Sequence, residues 1–216
     1  MDLDDAICGR RAVRRYKLDM PTEKILRRLI EAAVQAPSAM DEPQWHFTVI
    51  TRPDMLDQIS AGAKAWIKDD EPWLADNDKL RALLRDPDFH MLHHAPVLIV
   101  ISAPVGAKWS TEGCAAAAQN LMLAATGQGL GSCWIGLARN WLNSRQGRQL
   151  IELPADERVL APIVVGYASE EPAAVARPAP RITWMDETSF TEEGARSEAA
   201  SVPGIFGGLV RSNQAN

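Results

Sequence analysis

The sequence predicts an α+β fold, a mixed sheet surrounded by helices with an extended C-terminal arm, and three observations carry that expectation. Apolar residues recur at helical spacing in some stretches, as in Ile25, Leu26, Leu29, Ile30 and Ala33, whereas residues 95–102 and 159–167 are short runs rich in β-branched side chains. The two kinds of segment do not alternate in the regular strand–helix–strand order of a parallel α/β sheet. From Glu170 onward Pro and Ala dominate, and the end of the chain is rich in Gly, Ser and Glu, a composition that buries too little surface to order itself alone. The expected organisation is therefore one domain over residues 1–184 and an arm or disordered tail over 185–216.

Taken in order, Pro21-Thr22-Glu23 opens a helix whose one-faced stripe runs to Ala33 and stops at Pro37. Trp45, Phe47 and Val49 then alternate with His46, Thr48 and Ile50, the period of a strand with one buried face. Residues 54–90 are polar and mostly helical in pattern, with Trp66 and Trp73 set among charges. Residues 95–102 form a continuous apolar run, as expected of a strand covered on both faces. Ser110-Thr111-Glu112 can cap a helix and place an acid in its first turn; an Ala-rich stretch follows, and Gly127, Gly129 and Gly131 close it. Cys133-Trp134-Ile135 reads as a short strand, residues 143–151 as a helix, and residues 159–167 as a strand that Pro162 assigns to an edge or a strand start.

Composition excludes several classes. A net charge of −5 over 216 residues leaves no global basic field for nucleic acid or an anionic membrane, so any anion site is local. The acidic start lacks the basic-then-apolar order of a signal peptide, and no apolar run approaches the ~20 residues that span a bilayer, so a cytoplasmic protein is expected. Cys8, Cys114 and Cys133 are odd in number and far apart, fitting reduced core thiols better than a disulfide frame or a zinc site.

Within this acidic chain, "GRRAVRRY" gathers Arg10, Arg11, Arg14 and Arg15. Guanidinium groups match phosphate oxygens in bidentate fashion, so the cluster is either a local anion site or a solvated charge run. Gly129-Leu130-Gly131 supplies a GxG, but it follows a helix instead of opening one and has Trp134 where a third small residue belongs, so it is no dinucleotide fingerprint. There is no Walker motif and no GxSxG. "FHMLHHAP" sets His90, His93 and His94 at spacings that suit a metal on a helix face, against the plainer reading of a helix end; with no acid or cysteine at a standard offset, no metal is expected. Trp66 and Trp73 are either a lid or partial core.

Together and in order, these pieces resemble the FMN-dependent nitroreductase family. "RRAVRRY" is similar to that family's R-R-S-x-R-x-[FY] opening, "APSAMDEPQWHFTVI" to its A-P-S-x-x-N-x-Q-P-W-x-F-x-V segment, "AAAAQNLMLAATGQGLGSCWIG" to its Ala-rich helix and glycine turn, and "PIVVGY" to its late strand. The resemblance spans residues 8–184. It implies a nitroreductase-like α+β homodimer with FMN at the subunit interface, no partner of nucleic acid or membrane, and the Ala-rich helix at the dimer seam. It places Arg10 and Arg11 on the FMN phosphate beside position 12 (Ala12), Arg14 at the phosphate or near the ring's N1/O2 pole, and Arg177 and Arg181 as late basic residues completing the phosphate site. Pro37, Ser38 and Ala39 would line the ring or ribityl, and Ile135, Gly136 and Leu137 would turn backbone N–H groups toward N5 and O4. The implied reaction is a ping-pong cycle in which NADH or NADPH gives hydride to N5 and leaves. A small electron-poor acceptor such as a nitroaromatic or quinone then takes two electrons, with no catalytic side chain beyond the flavin.

Three departures stand out. Ala12 occupies the family's usual Ser position, removing a hydroxyl donor worth roughly 1 kcal/mol. Pro43-Gln44 inverts the usual Gln-Pro and so puts the Gln44 contact in question. Asp41 replaces an Asn; a carboxylate facing the ring donates no hydrogen bond and disfavours an anionic reduced flavin. Other flavin chemistry on the same scaffold (dehalogenation, ring dehydrogenation, flavin breakdown) and a non-catalytic flavin-binding protein are the alternatives.

Overall fold

The computed structural model describes residues 1–39, 45–70 and 77–185. The chain divides into two units: Arg10–Pro172, and Met1–Gly9 with the chain from Ala173 onward. The smaller unit holds helix α1 (Leu3–Gly9), where the Asp2 carboxylate accepts from the backbone N of Asp5 at 2.8 Å, and an exposed stretch up to Met185 that is neither helix nor strand. The rest of the expected tail lies outside the described residues.

The larger unit is built on a four-stranded sheet of β1 (His46–Ile50), β2 (Val97–Pro104), β3 (Gly131–Trp134) and β4 (Glu157–Gly166) in the order β1-β2-β4-β3. Every strand pair is antiparallel, and the parallel component among the described residues is an isolated bridge between Ala12 and Ser132. β2 and β4 are interior, which is why they read as unbroken apolar runs. Their side chains alternate between two cores. Leu98 and Val100 face the first, with Ile59, Ile67 and Trp141; Val97, Ile99 and Ile101 face the second, with Leu29, Ala33 and Leu121. Each fully buried Leu or Ile contributes roughly 1.5–3 kcal/mol of transfer free energy.

Helices cover both faces. α2 (Glu23–Ala33) is capped by Thr22, whose Oγ1 accepts from Ile25 N at 3.4 Å, and it buries Leu26, Leu29 and Ala33. It packs beside α5 (Ser110–Gly127), where Ala117, Ala118 and Ala125 permit close approach and Asn120 Nδ2 donates to Ala32 O at 3.3 Å. On the other face lie α3 (Pro53–Asp70), α6 (Arg139–Asn143) and α7 (Arg145–Leu150), with α4 (Asp78–Arg85) following α3 along the chain. Trp66 of α3 is partial core; Trp73 lies outside the described residues.

Two local expectations, at Ser110 and Pro162, are corrected. Ser110 is the first helical residue of α5 and not its cap; Trp109 holds the cap position at φ 63° with no side-chain hydrogen bond, and Ser110 is buried. The helix expected near residues 143–151 is α7, which Ser144 caps by accepting from Gly147 N at 3.2 Å. Pro162 is in neither an edge strand nor a strand start but mid-way along interior β4. Its carbonyl accepts from Ile135 N at 2.8 Å, and because N–H and C=O of one strand residue point to the same side, the missing donor faces the place where β3 has just ended. The end of α5 follows expectation as a Schellman motif. Gly129 takes φ 72°, Leu130 N donates to Ala125 O at 2.8 Å, and Gly129 N donates to Thr126 O at 3.0 Å.

Candidate functional site

The arginine segment is held in place by its backbone, not by its charges. Val13 N donates to Ser132 O at 3.0 Å, Lys17 N to Tyr167 O at 2.8 Å, and Ser169 N to Arg15 O at 3.1 Å, so residues 12–17 run along the outer side of β3 and past the end of β4. Two glycines make room. A Cβ at Gly131 would stand 2.6 Å from Val13 Cγ2, and one at Gly166 would stand 2.7 Å from Pro96 Cδ and 3.0 Å from Tyr16 Cδ1. Val13 is buried between half-buried Ala12 and exposed Arg14, and Tyr16 donates its hydroxyl to Val13 O at 2.7 Å. Burial first, and the Cys133 thiol next, push the Tyr16 phenol far above its ordinary range, so it stays a neutral donor.

With the backbone fixed, the guanidiniums divide. Arg15 forms an exposed ion pair with Glu170 at 3.2 Å. Arg10 and Arg11 are half-buried, and Arg11 Nη1 donates to Arg10 O at 2.9 Å. Burial raises the buried Cys133 thiol while Arg14 and Arg10 pull it down, which puts both guanidiniums within electrostatic reach of β3. Beside them lies a group the sequence reading missed: Ser132 is 1% exposed, and among the described residues its Oγ has no hydrogen-bond partner. Nothing local in "GLGSCWIG" signals this, because the burial comes from the bridge to the distant arginine segment.

β3 leads directly into Ile135, Gly136 and Leu137. Gly136 is exposed and opens a 3₁₀ turn to Ala138. Ile135 departs from expectation, since it is buried and its N–H is already given to Pro162 O, leaving Gly136 and Leu137 as the ring-facing candidates. Pro37, Ser38 and Ala39 lie elsewhere. They follow α2, and a Cβ at Gly113 in the first turn of α5 would meet Trp45 Cζ3 at 3.7 Å and Pro37 O at 3.8 Å. Ala36 and Trp45 belong to the second core, whereas Ala12, Tyr16, Ile135 and Leu137 pack on the first. One chain therefore holds the two halves of the expected site on opposite faces of its sheet. Arg177 and Arg181 are exposed in the smaller unit; Asp41 and Gln44 lie outside the described residues.

The histidine turn is not arranged for a metal. His90 Nδ1 accepts from the backbone N of Leu92 and of His94, each at 3.2 Å, so Nε2 carries the proton toward Asp57 Oδ1 at 3.2 Å, and no lone pair is left over. Among the described residues no group of three or more His, Cys, Asp or Glu could hold a metal ion, and no helix is long and apolar enough to cross a membrane.

A family model described as "Nitroreductase family" matches residues 7–167. The chain is 28% identical over 181 residues, 80% of each chain, to a protein of Methanothermobacter thermautotrophicus named for NADH dehydrogenase/NAD(P)H nitroreductase activity. It is 27% identical over 176 residues to an iodotyrosine deiodinase of Thermotoga neapolitana, covering 78% of this chain and 89% of that one. Among solved structures, a nitroreductase with bound FMN from Bacteroides fragilis superposes with a TM-score of 0.69 at 25% identity, covering 89% of this chain and all (100%) of the other.

Proposed function

The chain belongs to the nitroreductase family, and from that premise we propose that it is an FMN-dependent oxidoreductase. It takes electrons from NADH or NADPH, passes them to a nitroaromatic, quinone or similar electron-poor acceptor, and works as a homodimer. The observation that carries this reading is the arginine segment pinned along β3 with the orphaned, buried Ser132 hydroxyl beside it. Guanidiniums and an unpaired donor suit a phosphate ester, and this locally basic strip is set in a chain of net charge −5. The FMN bound in the Bacteroides fragilis structure supports the same ligand.

Bound FMN would supply the hydride chemistry. The residues of this chain would bind and orient it. Arg10, Arg11 and Arg14 take the phosphate end in charge-assisted hydrogen bonds, each worth about 1.5–3 kcal/mol, and Arg177 and Arg181 are further candidates for that end. The Gly136–Leu137 backbone, free of bulk at Gly136, faces the ring. Pro37, Ser38 and Ala39 of a second copy close the other side, because within one chain they sit across the sheet. No described side chain is arranged as a general acid, so protons at the acceptor come from water.

The test is an absorption spectrum of fresh protein followed by anaerobic titration with each nicotinamide. Yellow protein that bleaches with NADH or NADPH, and reoxidises with a nitroaromatic or quinone, is the expected result. Colourless protein that fails to take up added FMN overturns the reading. The deiodinase relative adds a halogenated phenol to the acceptor panel.

A further inference from the structure

The turn between α4 and β2 carries three histidines that the site described above does not use. His93 and His94 both adopt left-handed backbone, at φ 55° and 52°, which non-glycine residues keep only where their surroundings over-determine it. The His90 ring supplies that constraint from inside the turn. Its Nδ1 accepts from Leu92 N and from His94 N, each at 3.2 Å, while His93 N donates to His90 O at 2.8 Å. On the far side of the ring Nε2 meets Asp57 Oδ1 of α3 at 3.2 Å. α3 also anchors the base of the turn, where Ser60 Oγ accepts from Met91 N at 2.8 Å and Lys64 Nζ donates to Phe89 O at 2.8 Å.

An imidazole with a proton on each nitrogen has no lone pair to offer. A proton at His90 Nδ1 would therefore remove the acceptor from two backbone donors at once and turn a third donor toward them. The ring is enclosed, its side chain 10% exposed against 72% for Asp57, and the His94 ring stacks on it with centroids 4.3 Å apart at 28°. The titratable and charged groups around it are Asp57 and Lys64 of α3 and His93 and His94 of the turn itself. Burial first, then His94, hold the His90 imidazole below its ordinary 6.5; Asp57 opposes them and Lys64 adds to them. At neutral pH the ring is thus the acceptor that the turn needs.

We propose that His90 is an acid-sensitive latch: neutral, it closes the turn through Nδ1, and on taking a proton there it releases Leu92 and His94 and lets the two left-handed residues relax. The hold is complete above about pH 6.5 and is lost as pH falls through the lowered value. The turn ends at Pro96, which shares the space over Gly166 with Tyr16, so the latch lies against the arginine segment without depending on what that segment binds.

The test is heteronuclear NMR of the full chain labelled at histidine and leucine, followed from about pH 7.5 to about pH 4.5. The His90 ring should carry its proton on Nε2 at the start, and the ring and the Leu92 and His94 amides should then titrate together with one midpoint below 6.5. His90→Asn, whose side-chain oxygen accepts in place of Nδ1 without titrating, should leave both amides flat across the range. Asp57→Asn removes the carboxylate that favours the imidazolium and should lower the midpoint. His93→Asn, which tolerates left-handed backbone, should leave the transition in place. Melting curves check folding, and if His90→Asn is unfolded, wild type and Asp57→Asn decide. A ring protonated on Nδ1 at neutral pH, a ring that titrates while the two amides stay put, amides that still move in His90→Asn, or a midpoint unmoved in Asp57→Asn overturns the proposal.

Discussion

Ser102, wholly buried on β2, donates to Glu157 Oε2 at 2.6 Å, and His46 of β1 meets the same oxygen at 3.1 Å, so one carboxylate ties three strands together at the end of the sheet. Ser102→Ala leaves that largely buried carboxylate a donor short and should cost about 1–3 kcal/mol in urea unfolding; an unchanged midpoint would show that water replaces the hydroxyl. His93 gives a residue-level prediction with a sign. Burial, then Arg14, hold its imidazole at about 4 against an ordinary 6.5. The unfolded chain therefore takes up a proton between those values that the folded one refuses. The stability this group contributes is complete above about pH 6.5 and is lost as pH falls toward about 4. His93→Asn should flatten that limb of the stability profile, and parallel profiles for variant and wild type would contradict it. The arginine cluster was visible in sequence because four guanidiniums in six residues of an acidic chain are a compositional signal. Ser132 was not visible as a site residue, since its importance comes from contacts with a distant segment.

Among the elements, β3 and the arginine segment form a pair whose spacing Gly131 controls. Gly131→Ala puts a methyl into Val13, and this overpacking should cost about 1–3 kcal/mol and weaken FMN binding by displacing the segment. Val13→Ala in the same chain should recover most of the affinity. Failure of the double variant to bind better than Gly131→Ala would mean that the segment does not depend on this contact. Local signals located α2 and the end of α5, where Thr22 and Gly129 satisfy orphan backbone groups with their own atoms. They misplaced the start of α5 and the role of Pro162. Trp109 takes positive φ at a position that no glycine or asparagine marks, and whether a strand can tolerate Pro depends on where its neighbour ends.

For the whole molecule, the arginine segment with Gly136 and the loop at Pro37–Ala39 lie on opposite faces of one sheet, so a flavin touching both would need two chains. Sedimentation should show a dimer. Arg14→Gln and Ala39→Trp should each lose most activity, and mixing them under subunit exchange should restore about a quarter of the wild-type sites, because half the dimers then carry one intact site. No recovery on mixing would mean that each site is built within a single chain. Periodicity, turn residues and motif order by themselves determined the α+β class, most of the helices and strands, and the arginine strip, since each is written in residues near one another along the chain. Only the tertiary structure decided that the sheet's strands are antiparallel, that Ile135 spends its N–H on Pro162, that Ser132 is orphaned beside the arginines, and that the halves of the site are parted by the sheet. Those facts depend on which distant segments pack together, and no local pattern of residues encodes that.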